Sequence, residues 1–206
     1  QRYPSQWGGD PQADWGGLAA SIRGGLSWGM TGAPFYATDV GGFYGDQRDP
    51  LLYVRWAQAS VFSAHMRLHG IGAREPWSYG EEAERAAMAA LELRYRLLPY
   101  LWRAVEQACA TGLPVQRAMV LACPDEPESW AFDHQFFCGD DLLVAPCLEP
   151  GGRVRVYLPR GEWRRFPGGE PVPGGGRGPD RLPGGAGSGQ AGQEGERLPA
   201  DPVAGG

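Results

Sequence analysis

The chain has 206 residues, 42% hydrophobic and 11% aromatic, with 24 acidic against 19 basic side chains and a net charge of −5. That is apolar material enough to bury the core of one domain or one and a fraction. The acidic balance and the lack of any basic run argue against nucleic acid as the main partner, and no run approaches the ~18 apolar residues of a membrane span.

All 19 basic residues are arginine, which reads as the codon bias of a GC-rich genome rather than as chemistry. Cys109, Cys123, Cys138 and Cys147 show no C-x-x-C spacing and are not grouped with the three histidines. A zinc site is therefore not expected, no cofactor is implied, and reduced thiols of a cytoplasmic protein are the expectation. The chain opens on Gln1-Arg2-Tyr3-Pro4, with neither an initiator methionine nor a signal peptide, as a piece of something longer would.

Residues 1–10 read as the end of a strand running into the loop Gln6-Trp7-Gly8-Gly9-Asp10. Glycines let a backbone approach a ligand closely, so that neighbouring side chains can be aimed into a cleft. A carboxyl group beside aromatic faces suits a sugar, whose C–H faces stack on rings and whose oxygens need an acid. Asp10, just ahead of Pro11-Gln12-Ala13-Asp14, would equally suit a turn or a helix start. From Trp15 to Trp28 the pattern is helical, with Leu18, Ile22 and Leu26 on one face. Gly32–Val40 is a short apolar run fit for a buried strand. It leads into Thr38-Asp39-Val40-Gly41-Gly42-Phe43, which again sets a carboxylate beside a glycine pair and an aromatic ring; Asp39 also suits a plain turn.

Asp49-Pro50 predicts a helix start, followed by a stripe of Val54, Ala57, Val61, Ala64 and Leu68. This helix is expected to carry His65, Arg67 and His69 and to end at Gly70. The next begins near Glu81-Glu82, with acids at the positive end of its dipole. Its expected buried stripe is Met88, Leu91, Tyr95, Leu98, Trp102 and Val105, with Pro99 inside and Gly112 closing it. Leu113–Ala122 reads as a buried strand. Phe136-Phe137, Leu142–Pro146 and the alternating Arg153–Leu158 supply β-pattern after about residue 139. The last forty residues, 167–206, hold 14 of the 33 glycines and no aromatic ring. So little apolar surface predicts disorder there.

The series WGGD, TDVGGF, RLHG, PYLWR, RAM, GDDLLVAPCLE and VYLPRGEW, spread in order over residues 1–166, resembles glycoside hydrolase family 31, which holds α-glucosidases and α-xylosidases. The resemblance implies an α/β fold: residues 1–139 as the C-terminal portion of a (β/α)₈ barrel, with Leu113–Ala122 its final strand, then 140–166 as the start of a β-sandwich. The tail, 167–206, is then low-complexity sequence, although Arg197-Leu198-Pro199 faintly resembles a later family segment.

The chemistry so implied is retaining double displacement of a terminal α-linked glucose or xylose. It needs two carboxyls about 5–5.5 Å apart, a nucleophile and an acid/base. Asp10 matches the general acid/base; the nucleophile falls on an earlier barrel strand outside this sequence, so the isolated chain is expected to be inactive. Trp7 and Phe43 match ring-facing pocket residues, His69 a donor to sugar hydroxyls, and Asp39 a supporting or sugar-touching group. By the residues alone, Trp7 and Phe43 also suit a core, and His69 a helix cap. Thr38 stands where many members have histidine, which removes one donor near the pocket. The partner implied is an oligosaccharide or α-glycoside. The competing reading is a non-catalytic sugar-binding or interaction protein of the same descent.

Overall fold

A computed structural model describes residues 2–45, 49–177 and 193–197. Its amino-terminal part is a strand–helix relay. β1 (Ser5–Trp7) lies parallel to β2 (Phe35–Ala37), with Ser5 opposite Phe35 and Trp7 opposite Ala37. Between them runs α1 (Trp15–Met30), whose start is fixed by Asp14: its carboxylate accepts the Gly17 amide proton at 2.6 Å. Asp14, and not Asp10, is the cap. Leu18, Ile22 and Leu26 are buried, as their spacing predicts. Asp49 caps α2 (Pro50–Ser60) by accepting from the amides of Leu51 and Leu52, and Pro50 occupies the first turn.

The sequence reading is corrected directly after α2. The helix does not carry His65, Arg67 and His69; it ends at Ser60. The Arg94 guanidinium donates to the carbonyls of Val61, Ser63 and Ala64, so oxygens that would accept the next helical turn are already engaged. The chain then runs extended. Asp39 and Arg67 form a parallel bridge, and the Val40 amide donates to the Arg67 carbonyl at 2.9 Å. Ala64, Met66 and Leu68 pack on the core while His65, Arg67 and His69 project from the opposite, open side of the strands, the inner face of the relay, a period of two that the three-and-four spacing of Val61, Ala64 and Leu68 concealed.

α3 (Glu81–Thr111) begins with Glu81, Glu82 and Glu84, passes through Pro99 and ends at Gly112, whose φ of 79° is a left-handed cap. Its buried face is not the expected one. Ala83, Ala87, Ala90, Leu97, Leu101, Ala104 and Ala108 are buried, whereas Tyr95 and Trp102 are 73% and 65% exposed. Small side chains let α3 lie close against its neighbours, so the alanine-rich stripe won over the bulkier one.

Leu113–Ala122 does not form the final barrel strand expected of it. β3 (Gln116–Ala118) is no barrel strand: it pairs antiparallel with β4 (Phe136–Cys138) and is followed by the single turn α4 (Met119–Ala122). The third parallel segment is the extended stretch 64–69, joined to Asp39 by one bridge at Arg67, and the strand–helix relay is over by Thr111 rather than residue 139.

The rest is antiparallel. The further strands are β5 (Leu142–Ala145), β6 (Tyr157–Leu158), β7 (Glu162–Arg165), β8 (Pro171–Pro173), β9 (Gly176–Arg177) and β10 (Gln193–Arg197). Among the described residues, one sheet runs β3-β4-β5-β10-β7-β8 and a small one pairs β6 with β9. Phe136, Cys138, Leu142 and Val144 face the core shared with the helices, while Phe137, Leu143 and Ala145 face a second core with Tyr157, Leu158 and Trp163. The continuous apolar run Leu142–Ala145 is buried on both faces, the pattern of a central strand. The expected disorder of 167–206 is likewise corrected for β8, β9 and β10. A glycine-poor core is not needed there, because β5 and β7 offer β10 a ladder on both sides, with Gly195 opposite Leu143 and Arg165. Residues 178–192 and 198–206 lie outside the described residues.

Candidate active site

Every predicted site residue lies at or just beyond the C-terminal end of one of the three parallel segments, and backbone bonds stitch those ends together. The Phe43 amide donates to the Pro11 carbonyl at 2.7 Å, next to Asp10 in the chain. The Ile71 amide donates to the Phe43 carbonyl at 2.6 Å, two residues past His69. The rings of Phe43 and His69 stand 5.7 Å apart. The loops bearing Asp10, Phe43 and His69 are thus one connected structure.

Local sequence makes each loop possible. A Cβ on Gly8 would sit 2.4 Å from the Tyr36 hydroxyl, and Gly9 has φ of +78°, so the chain turns sharply after Trp7 and leaves Asp10 exposed. Burial holds the Tyr36 phenol at a pKa of about 12, so it remains a neutral floor beneath this turn. Gly42, at φ of +82°, lies against the Ala13 backbone, where a Cβ would come within 2.4 Å of Cα. Arg74, 6% exposed, donates to the carbonyls of Gly42 at 2.7 Å, Ala73 at 3.0 Å and Phe43 at 3.4 Å. In turn, the Tyr53 hydroxyl donates to the Arg74 carbonyl at 2.8 Å. No sequence pattern marked Arg74; a lone arginine in a loop announces nothing until its carbonyl partners are assembled.

Trp7 and Asp39 meet through Arg67. The Asp39 side chain is fully buried and accepts from Arg67 Nε at 2.7 Å and Nη2 at 3.3 Å, a fork in which each carboxylate oxygen is engaged. The same guanidinium lies over the Trp7 ring, Cζ being 4.0 Å from its centroid. Trp7 keeps one third of its surface open. Thr38 points the other way, its hydroxyl donating to Ser21 on α1 at 3.3 Å, so the residue at this position does not bear on the pocket. Further down the inner face, His65 shares a hydrogen bond with the Ser5 hydroxyl at 3.1 Å and meets the Phe35 ring edge-on. Burial, reinforced by the Arg94 charge, lowers its pKa, so the imidazole is favoured neutral.

A separate cavity of about 920 Å³ lies between the starts of α2 and α3, lined by Asp49, Val54, Arg55, Tyr79 and Glu81 among others. It holds none of the predicted residues. We place the candidate site at the three strand ends instead, because the loops that carry the acid, rings and imidazole are bonded together there and strand C-termini are where barrels assemble their chemistry.

Comparison with known proteins gives the family. Residues 1–104 match the family model for the glycosyl hydrolases family 31 TIM-barrel domain, and residues 112–183 match that for the glycosyl hydrolase family 31 C-terminal domain. An α-xylosidase of Emericella nidulans is 39% identical over 161 residues, 78% of this chain and 20% of that protein. The lysosomal α-glucosidase of Mus musculus is 38% identical over 166 residues, 79% of this chain and 17% of its own length. A crystal structure of a GH31 α-xylosidase from a soil metagenome, complexed with xylose, superposes with a TM-score of 0.82 at 34% identity, covering 95% of this chain and 32% of that one. The chain spans about a fifth of the length of the curated relatives it matches. Three parallel strand ends carrying acid, rings and imidazole, followed by an antiparallel sheet, therefore have a family: the chain belongs to glycoside hydrolase family 31.

Proposed function

We propose that this chain supplies the acid/base side of a retaining α-glycosidase pocket for terminal α-linked glucose or xylose. The observation that carries this reading is the bonded run from Pro11 to Phe43 to Ile71, which gathers Asp10, Phe43 and His69 at one end of the parallel segments. Asp10 is the proton donor to the leaving oxygen and then the base toward water. Trp7 and Phe43 offer ring faces to the sugar, and His69 a hydrogen-bond donor to its hydroxyls. The role of Asp39 is support: a fully buried carboxylate with both oxygens on Arg67 is better suited to hold the loop than to touch a sugar. For the same reason Asp39 does not serve as nucleophile. We assign that carboxylate to a barrel strand beyond these three, as the family resemblance implies.

Hydrolysis therefore needs the complementary part of the barrel. The 206-residue chain alone is expected to release no chromophore from aryl α-glucosides or α-xylosides, while calorimetry with xylose or glucose at millimolar concentration detects binding that Trp7→Ala abolishes. Turnover by the chain that vanishes in Asp10→Asn would overturn the incomplete-pocket reading, and the absence of heat with either sugar would overturn the pocket itself. The second reading, a protein that binds sugar without cleaving it, is favoured by the one third of the Trp7 surface left open and predicts the same binding. It parts from the first if adding a chain with the missing strands restores no turnover.

A further inference from the structure

Arg67 joins two features of different burial. On one side stands Asp39, with no exposed surface, its two oxygens held by Nε and Nη2 in a planar fork. On the other stands the Trp7 indole, with the guanidinium lying against it at 4.0 Å. The backbone locks the same register, since the Asp39–Arg67 bridge and the Val40 amide bond to the Arg67 carbonyl fix the two segments relative to each other. A buried carboxylate gripping a guanidinium by its fork sets the plane of that guanidinium, and a planar cation sets the ring stacked on it.

We propose that Arg67 is a positioning residue: anchored by Asp39, it clamps the Trp7 indole as the wall of the sugar pocket and thereby sets the turn Gly8-Gly9 that presents Asp10. This rests on the pocket assignment above. It also distinguishes two jobs that one side chain does here. A lysine would supply countercharge to Asp39 but no flat surface for the ring, so charge balance and ring clamping separate in Arg67→Lys.

The test is a proton–nitrogen correlation spectrum of the full chain, in which the Trp7 indole N–H is identified by its disappearance in Trp7→Phe. Arg67→Lys is expected to move the Trp7 resonance, leave the other seven tryptophan indoles of the chain in place and weaken xylose or glucose binding about three- to tenfold. Asp39→Asn, which keeps the shape but weakens the grip, is the second variant and is expected to move the same resonance in the same direction. An unmoved Trp7 indole in both variants overturns the clamp, as does a wild-type sugar affinity in both. If the wild-type chain binds no sugar yet the Trp7 resonance moves, the pocket assignment fails and the clamp stands.

Discussion

The two halves of this chain solve burial in opposite ways. The antiparallel half is covered on both sides: Leu142–Ala145 packs one face on the helices and the other on a second core, and Trp163, 1% exposed, is held by its indole N–H donating to the Pro159 carbonyl at 2.7 Å. The parallel half stays open. Its inner face carries Ser5, Trp7, His65, Arg67 and His69, and α3 turns Tyr95 and Trp102 outward. The difference teaches where polar chemistry can be kept. Parallel strands with a partly unfilled interior leave side chains that can meet a ligand, whereas a sheet packed on both faces spends its side chains on the core.

The contrast can be broken most forcefully from the closed half. Trp163→Ala removes the largest side chain of the second core, where it meets the Phe137 ring edge-on, and is expected to cost about 3–5 kcal/mol in denaturant unfolding. A loss below about 1 kcal/mol would show that this half is not tightly packed. Next comes the seam between helices and strands. Arg94→Met leaves the carbonyls of Val61, Ser63 and Ala64 without their donor, and about 2–3 kcal/mol should be lost. The same variant should also speed amide hydrogen exchange in residues 61–69, whereas unchanged exchange there would mean that Arg94 does not end α2. The smallest effect is expected on the open side. Trp102→Gln in the chain alone should change stability by no more than about 0.5 kcal/mol, because only the Glu106 carboxylate, at 2.9 Å from its indole nitrogen, is lost as a partner. A cost of several kcal/mol, read from the unfolding midpoint, would mean that this face of α3 is covered in solution.

Legibility followed the range of the forces at work. Caps and short-range periods could be read directly: Asp49-Pro50 starts α2, Leu18, Ile22 and Leu26 face the core, and Gly112 ends α3. The site loops were legible because WGGD and TDVGGF put their glycines where the backbone must turn or approach closely. Where two periodicities competed, the sequence could not choose. Residues 61–69 carry both a helical and a strand spacing, and Arg94, thirty residues on, settled the matter by engaging the carbonyls. In α3, an alanine stripe and a bulky stripe were both regular, and close helix packing selected the small one.

The sequence by itself determined the family, the order of strands and helices at the amino end, and the glycine turns of the WGGD and TDVGGF loops, since these rest on local backbone chemistry. Only the tertiary structure decided that Asp39 is locked onto Arg67, that Arg74 holds the Phe43 loop, that Leu113–Ala122 joins an antiparallel sheet, and that a glycine-rich segment near the carboxyl end becomes a central strand. Each of those depends on a partner far away in the chain, and burial and hydrogen-bond pairing act only once the partners have been brought together.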